Sequence, residues 1–230
     1  MKMKRGNTKN IPTQYGDFEI RLNAPDLKVL VAALNHEYEP IRYLLPTNFS
    51  GMIIDAGGYI GTSAVVFANL FPYAKIISIE PSTENFNLLR KNTKSFNNIF
   101  LIKGALSSKS GADMQLRNRG TGQWGYTITS QSQNATATDI IEKVPTFTIP
   151  DICAKFPDLD VGLIKLDIEG AEKSLFDDEP KLGDVPAVLV ELHDKIIPGC
   201  TDSFRRFSKD RWIVNIQGDK QLSLSRNLVE

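Results

Sequence analysis

Two carboxylates and the glycines between them are the residues of this chain whose types and spacing most clearly indicate ligand binding. Asp55 ends an apolar run and precedes a glycine-rich loop, and Glu80 ends the next apolar run. The carboxyl ends of parallel strands form the ligand-binding edge of an open sheet, so we expect both acids there. Glu80 can accept hydrogen bonds from both hydroxyls of a ribose, and Asp55 can meet a positively charged group.

The glycine loop indicates a nucleoside ligand without a pyrophosphate. A dinucleotide-binding loop that ended at Gly61 would need a glycine at position 56, where this chain has Ala56. The pattern Asp-x-Gly-x-x-x-Gly is instead matched in full by Asp55, Gly57 and Gly61. A ribose joined to a cationic amino-acid portion describes S-adenosylmethionine, which we predict as the cofactor. The competing interpretation is a tight strand-to-helix turn that binds no ligand.

The composition narrows the class of protein. The chain has 230 residues, which favours one domain, and its 27 basic and 27 acidic residues give no net charge to attract nucleic acid or a charged membrane. No apolar stretch approaches the roughly 18 residues of a membrane helix, and none follows the basic start as in a signal peptide. Cys153 and Cys200 have no metal-binding spacing. We therefore predict a cytoplasmic protein with no membrane span.

Apolar runs alternate with helical periodicities along the chain, which predicts an α/β fold with a mostly parallel sheet. Helical spacing over residues 25–45 predicts that residues 1–50 form a helical segment of the same domain. Further helices are predicted at 60–70, 81–94 and 168–182. Strands are predicted at about 52–55, 75–80, 100–103, 161–167 and 187–192, followed by a β-hairpin over 211–224.

A polar stretch, residues 107–139, interrupts this alternation. It is dense in Ser, Thr, Gln, Asn and Gly, and an unstructured segment of that length in a compact domain is usually functional or disordered. Trp124 lies inside it, and an aromatic side chain in a polar loop is costly unless it packs or binds. We predict a substrate lid with Trp124 as a substrate contact; packing of the segment onto the domain edge is the alternative.

Several further motifs carry a family resemblance. The chain resembles the FkbM family of S-adenosylmethionine-dependent methyltransferases over roughly residues 50–195. The most specific match is the block Lys-x-Asp-x-Glu-Gly-x-Glu that ends at Glu172. The resemblance rests on the segments Ile54–Gly61, Ile79–Pro81, Gly104–Ser107, Ile164–Glu172 and Glu191–His193. The family usually has Ala-Asn where this chain has Gly58 and Tyr59, so a larger side chain stands beside the cofactor loop here.

The resemblance implies a Rossmann-like class I methyltransferase fold: a mostly parallel seven-stranded sheet, a C-terminal antiparallel hairpin and helices on both faces. Residues 51–230 would then form the S-adenosylmethionine-binding methyltransferase domain. The reaction implied is O-methylation of a hydroxyl on a sugar, glycan or other small molecule. The residues predicted to bind the cofactor are Asp55, Gly57, Gly58, Tyr59, Gly61, Glu80, Pro81, Ala105 and Asp167.

Methyl transfer to oxygen requires alignment of the acceptor and removal of its proton. His193 ends a predicted strand, and its imidazole titrates near neutral pH, so we predict it as the catalytic base with Asp167 as the competing base. Glu169 and Glu191 are predicted substrate contacts beside them. The same four side chains could bind Mg²⁺ or another hard cation, but carboxylates at helix starts are also ordinary caps, and we predict no metal.

Two other functions stay open at this stage. An NAD-type Rossmann oxidoreductase would share the fold, but the first glycine of its loop and a dehydrogenase-like catalytic set are missing. A cofactor-binding protein without catalysis would share the site, but such a protein has no need of so many costly charges in one cleft.

Overall fold

The structure is a computed structural model that describes residues 8–111, 114–118, 123, 125–129 and 140–228. Its strands, in chain order, are β1 Thr8–Thr13, β2 Gly16–Arg21, β3 Met52–Ala56, β4 Lys75–Glu80, β5 Ile99–Lys103, β6 Ala105–Leu106, β7 Met114–Arg117, β8 Thr127–Thr129, β9 Ile140–Val144, β10 Thr146–Phe147, β11 Val161–Leu166, β12 Ala187–Glu191, β13 Trp212–Gln217 and β14 Lys220–Leu224.

Six α-helices lie among the described residues. They are α1 Asp26–Ala32, α2 Thr62–Leu70, α3 Thr83–Asn92, α4 Ile149–Lys155, α5 Glu172–Asp178 and α6 Cys200–Phe207. A π-helical turn, Ala33–Glu37, and a 3₁₀ turn, Glu39–Tyr43, follow α1, and further 3₁₀ turns cover Pro180–Asp184 and Arg226–Leu228. None of the helices in these described stretches has the length and apolarity that a membrane crossing requires.

The central sheet has seven strands in the order β13-β14-β12-β11-β3-β4-β5. Strands β3, β4, β5, β11 and β12 are parallel, whereas β14 and β13 form an antiparallel hairpin on β12. From β3 the chain builds outward through β4 and β5, and it then returns to the other side of β3 with β11. The predicted α/β class, with a mostly parallel sheet and a C-terminal hairpin, is confirmed.

Alternate residues of each central strand supply two apolar cores, because successive side chains of a strand point to opposite faces. Ile53 belongs to the core that includes Phe67 of α2. Ile54, its neighbour, belongs to the core that includes Leu175 of α5 and Phe204 of α6. Both residues are fully buried, so β3 is covered by helices on both faces, as predicted.

The N-terminal segment differs from the prediction. Strands β1 and β2 pair as an antiparallel hairpin before α1, so helical structure in residues 8–50 is confined to 26–43. The hairpin is hard to detect because most β1 residues are exposed or half-buried and polar, which gives no clean alternation. Phe18 and Ile20 of β2 are buried in a core of their own with Leu30 of α1.

The polar stretch 107–139 also differs from the prediction where the structure describes it. Strands β7 and β8 pair with each other, and β9 pairs with the other side of β7, giving a three-stranded antiparallel sheet. Leu116 and Val144 form a small buried cluster in this side sheet, β7 to β9. Trp124 lies outside the described residues.

The 168–182 helix begins later than predicted. Its first residue is Glu172, because Glu169 and Gly170 have positive φ angles of 56° and 101°, which a right-handed helix cannot contain. The segment from Ile168 to Ala171 is therefore a turn between β11 and α5. This turn brings the acidic residues that follow β11 to the edge of the sheet.

A buried ion pair joins the two strands at the centre of the sheet. Lys165 of β11 lies opposite Asp55 of β3 in the strand register, and its Nζ is 3.3 Å from Asp55 Oδ1. The ammonium also donates to the carbonyl oxygen of Gly57 at 2.8 Å. Asp55 receives two further bonds, from Ser63 Oγ and Ser78 Oγ. Both members of the pair are buried, so each depends on the other for charge compensation.

We expect Lys165→Ala to lower the free energy of unfolding by about 3–5 kcal/mol, because it leaves the Asp55 carboxylate buried without a counter-charge. Chemical denaturation measures the change. Lys181→Ala is the matched control: that lysine forms an exposed ion pair with Asp184, and its loss should change the unfolding free energy by less than about 1 kcal/mol. Equal effects of the two substitutions would contradict a central role for the buried pair.

Candidate active site

A cleft of about 850 Å³ opens at the carboxyl ends of β3, β4, β11 and β12. The glycine loop after β3 and Glu80 form one half of the cleft, and Asp167 and His193 form the other. Further walls come from α1, the side sheet and the β13–β14 hairpin. The volume lies in the range usual for small-ligand pockets. The cleft is therefore the described feature best suited to hold a cofactor and an acceptor.

Close approach of two backbone segments explains the first glycine of the loop. Gly57 has a φ of 82°, and a Cβ atom there would lie 1.9 Å from the carbonyl oxygen of Asp167. A side chain at position 57 would thus force apart the ends of β3 and β11. The sequence predicted a glycine that lets the backbone approach the cofactor. In the structure, the group that most closely excludes a side chain at Gly57 is the carbonyl oxygen of Asp167, at the end of the neighbouring strand. Gly58 is similarly close-packed, because its Cβ would lie 2.2 Å from Ser78 Oγ.

Glu80 is a buried carboxylate at the edge of the cleft. Its Oε2 accepts from the amide of Tyr59 at 2.9 Å, and its Oε1 accepts from the amide of Ser82 at 2.8 Å and from Asn85 Nδ2 at 3.3 Å. Burial raises the pKa of Glu80 to about 7 although these bonds favour the charged form. A carboxylate offers about four acceptor positions, so roughly one stays open for a ligand.

Two residues predicted to contact the cofactor do not line the cleft. The carboxylate of Asp55 is fully buried beneath the loop, and its oxygens are bonded to Ser63, Ser78 and Lys165. It is therefore not free to meet a cationic group of the ligand. Gly61, with a φ of 94°, precedes α2 and packs against Leu89 of α3 and Thr93, the residue that follows this helix. Asp55 and Gly61 therefore support the conformation of the glycine loop without lining the cleft.

The other predicted site residues within the described part of the chain do line the cleft. They are Gly57, Gly58, Tyr59, Glu80, Pro81, Ala105, Asp167, Glu169, Glu191 and His193. Lys165 lines it as well, and its Nζ is 3.6 Å from Asp167 Oδ2. Burial opposes the charge of Lys165, but Asp55 and Asp167 outweigh it and keep the lysine pKa above its usual range. The prediction for Trp124 stays outside the described residues.

The predicted convergence of acids around His193 is present in the structure. The Nε2 atom of His193 lies 3.9 Å from a carboxylate oxygen of each of Asp167, Glu169 and Glu191. Its Nδ1 atom bonds to Oε1 of Glu172 at 2.9 Å. Glu172 is fully buried, and it also accepts the amides of Ile168 and Gly170, so its carboxylate is fixed.

The charges around the imidazole decide its protonation. Burial lowers the pKa of His193, but the hydrogen bond and charge of Glu172, followed by the charges of Asp167 and Glu169, raise it to about 9. Burial and the charge of Asp167 likewise raise the pKa of Glu191 above its usual range. The imidazolium therefore supplies part of the positive charge that the clustered carboxylates need. Asp167, Glu169 and His193 also offer ligand atoms within 4.8 Å of one another, a spacing that one cation could bridge.

Sequence reasoning did not single out Glu172 as part of the site. It is the last acid of the Lys-x-Asp-x-Glu-Gly-x-Glu block, which was the available signal, but only the folded chain brings it to a histidine 21 positions away. Asn85 was missed in the same way. It donates to Glu80 and in turn accepts from Arg21 Nη2 at 2.9 Å.

Comparison with known families decides the class of this protein. The model of the methyltransferase FkbM domain matches residues 55–206, which include the glycine loop, Glu80, Asp167 and His193. The chain belongs to the FkbM methyltransferase family. The predicted family is confirmed, and so is S-adenosylmethionine as the cofactor. No curated protein matches the sequence.

Solved structures share the fold of this FkbM protein at low sequence identity. A Staphylococcus aureus protein assigned as a caffeoyl-CoA O-methyltransferase is 13% identical, with 81% of each chain covered and a TM-score of 0.50. A precorrin-6y C5,15-methyltransferase from Geobacter metallireducens GS-15 is 11% identical, with 84% of this chain and 88% of that chain covered and a TM-score of 0.47. The first likeness supports the Rossmann-like methyltransferase fold and nothing finer.

The imidazole of His193 should titrate near pH 9, and Glu172→Gln should bring its pKa down toward the usual 6.5. Since the folded-state pKa is raised, the stability that His193 contributes is complete below pH 6.5 and is lost as pH rises through about 9. NMR titration measures the pKa directly. A His36→Gln background removes the only other histidine and leaves one imidazole signal. An unchanged pKa in folded Glu172→Gln would assign the shift to the other carboxylates.

Proposed function

We propose that this FkbM methyltransferase transfers the methyl group of S-adenosylmethionine to a hydroxyl of a sugar, glycan or other small molecule. The observation that carries this proposal is the pair His193 and Glu172. A buried carboxylate holds Nδ1, and Nε2 faces the carboxylates of the cleft at 3.9 Å. This is the arrangement of an oriented general base, which acyl-transfer enzymes use to activate a hydroxyl.

The cofactor half of the cleft has the groups that a nucleoside needs. Glu80 has about one acceptor position left for a ribose hydroxyl, and the residues around it are the glycine loop, Pro81 and Ala105. Asp167 and Lys165 would be the charged groups available to the amino-acid portion, because both line the cleft and Asp55 does not. When bound, S-adenosylmethionine supplies a methyl group carried on a good leaving group.

Proton removal falls to His193 in this proposal. In the neutral imidazole, Nδ1–H donates to Glu172, and the lone pair of Nε2 can accept the proton of an acceptor hydroxyl. With its pKa near 9, the imidazole is mostly protonated at pH 7, so the base form grows as pH rises. Asp167, at 35% side-chain exposure, is the competing base because its carboxylate lines the cleft and lies 3.9 Å from Nε2.

The acids of the cleft favour a hydroxyl-rich acceptor. The carboxylates of Asp167, Glu169 and Glu191 can accept hydrogen bonds from neighbouring hydroxyls of a sugar. The same carboxylates would repel the phosphates of a nucleic acid, whose binding depends on basic residues. This charge pattern supports a glycan or small-molecule acceptor and argues against RNA.

The deciding experiment measures S-adenosylhomocysteine released from purified protein on a panel of sugars, glycans, other small hydroxyl compounds and RNA. Product formed with a hydroxyl acceptor supports the proposal, and methylation of RNA alone would overturn it. Calorimetric titration with S-adenosylmethionine and with NAD(H) checks the cofactor side separately. Binding of the cofactor without turnover on any acceptor would favour a binding protein.

Glu80→Ala should weaken the binding of S-adenosylmethionine at least tenfold, about 1.4 kcal/mol, because a charge-assisted bond to the ribose is lost. Since the pKa of Glu80 is raised to about 7, wild-type affinity should increase as pH rises from 6 to 8 and the carboxylate ionises. Isothermal titration calorimetry across that range gives both results.

Glu80→Gln keeps the size of the side chain and cannot ionise, so its affinity should be weak and independent of pH. Asp184→Ala, which removes an exposed carboxylate, is the control for a general change of charge. Wild-type affinity in folded Glu80→Ala would exclude Glu80 as a ribose ligand.

His193→Ala should lower kcat by roughly 10²–10⁴ while cofactor affinity stays nearly unchanged, because a base contributes to the chemical step and not to binding. The wild-type rate should rise with pH up to about 9, where the imidazole loses its proton. Steady-state assays on one confirmed acceptor measure both.

Single substitutions distinguish the two candidate bases, His193 and Asp167, by their effects on the rate. If Asp167 is the base, Asp167→Asn removes most of the rate and His193→Ala costs little. Small effects of both substitutions would mean that alignment alone drives transfer. A rate abolished by a chelator and restored by Mg²⁺ would instead assign the carboxylates and His193 to a cation.

A further inference from the structure

Tyr59 has a backbone conformation that its residue type disfavours. Its φ is 49°, in the left-handed region, where glycine and asparagine are favoured and bulky side chains are rare. This chain has an aromatic residue at that position. Backbone strain of this kind persists only where the surrounding structure enforces it, and it occurs often at ligand-binding sites.

A buried hydrogen bond holds Tyr59 in this conformation. Its hydroxyl donates to Oδ1 of Asp26, the first residue of α1. Asp26 is fully buried and also accepts from Arg21 Nε and Nη2 at 3.0 and 2.9 Å. The ring packs in the same core as Phe18 and Leu30. Tyr59 therefore ties the cofactor loop to both β2 and α1.

The contacts of Tyr59 lead directly to the predicted ribose ligand. The amide of Tyr59 donates to Glu80 Oε2 at 2.9 Å. The opposite oxygen of Glu80 accepts from Asn85, which is held by Arg21. Both side-chain oxygens of Glu80 are thus linked to the Arg21–Asp26 pair, one through Tyr59 and one through Asn85, and the amide of Ser82 also bonds the second oxygen.

We propose that the Tyr59 hydroxyl is a positioning group for cofactor binding. By bonding Asp26, it keeps the residue 59 backbone left-handed, so that its amide orients the Glu80 carboxylate. The same bond fixes α1, whose residues Lys28, Val29 and Ala32 line the cleft. The inference rests on the proposed function, because it takes Glu80 as the ribose ligand.

Three substitutions separate positioning from packing. Tyr59→Phe keeps the ring in the core and leaves Asp26 paired with Arg21. It removes the hydrogen bond to Asp26 that holds the strained backbone of residue 59. Tyr59→Asn removes the ring and favours the left-handed conformation. Tyr59→His keeps an aromatic ring, and histidine also tolerates that conformation. Calorimetry gives the dissociation constant of S-adenosylmethionine for each variant, and thermal unfolding gives its stability.

If Tyr59 acts by positioning, the variants should rank in one order by affinity for S-adenosylmethionine and in the opposite order by thermal stability. Tyr59→Phe should bind S-adenosylmethionine about tenfold more weakly than wild type, with little loss of thermal stability. Tyr59→Asn should bind within about threefold of wild type although it is the less stable protein. If Tyr59→Asn does not fold, Tyr59→His takes its place with the same expected affinity. A packing role alone predicts that Tyr59→Phe binds best of the three.

Wild-type affinity in Tyr59→Phe, or weaker binding by both Tyr59→Asn and Tyr59→His than by Tyr59→Phe, would overturn the inference. Measuring Glu80→Ala alongside distinguishes failure of the inference about Tyr59 from failure of the proposed cofactor site. If Glu80→Ala weakens binding and Tyr59→Phe does not, Glu80 stands as the ribose ligand and Tyr59 does not position it. If Glu80→Ala binds normally, the assignment of Glu80 fails, and this inference fails with it.

Discussion

The buried ammonium of Lys165 is the contact on which the arrangement of the cleft depends. It lies at the point where the order of strands reverses, between β11 and β3, and it satisfies a carboxylate of one strand and a carbonyl of the loop that follows it. Without this cation the end of β3 would carry a buried negative charge beneath the ligand. The position of Gly57 against the backbone of Asp167 then follows, because both strand ends are held to the same group.

The two halves of the cleft stabilise their carboxylates by different interactions. Around Glu80, backbone amides and Asn85 provide the hydrogen bonds, and burial keeps its pKa high. Around Asp167, cationic side chains compensate the negative charge by ion pairing: Lys165 on one side and His193 on the other. The first arrangement suits a neutral sugar hydroxyl. The second places a titratable imidazole among several carboxylates, and their hydrogen bonding and charge raise the pKa of His193 against the effect of burial.

The strand ends were predictable from sequence, and the directions of the side chains were not. Apolar runs locate β3, β4, β11 and β12 well, and residues that follow such runs must reach one edge of a parallel sheet. Whether Asp55 points into the cleft or beneath the loop depends on its strand partner, Lys165, which is 110 positions away. The contact between His193 and Glu172 likewise exists only after folding. The β1–β2 hairpin was missed because its exposed polar residues carry little periodicity.

The side sheet of β7, β8 and β9 is fixed at both halves of the cleft. Glu142 of β9 accepts from the amide and hydroxyl of Thr83, which follows Glu80 closely in the chain, and from Lys103, which lies opposite Glu80 in the strand register. At the other end, Thr127 of β8 donates to the carbonyl of Glu169 at 2.8 Å. Because the side sheet is hydrogen-bonded at these two points, it holds Tyr126 and Ile128 in the wall of the cleft that His193 also lines. The wall of the cleft beside His193 is therefore fixed by backbone pairing within the side sheet and by hydrogen bonds to both halves of the cleft.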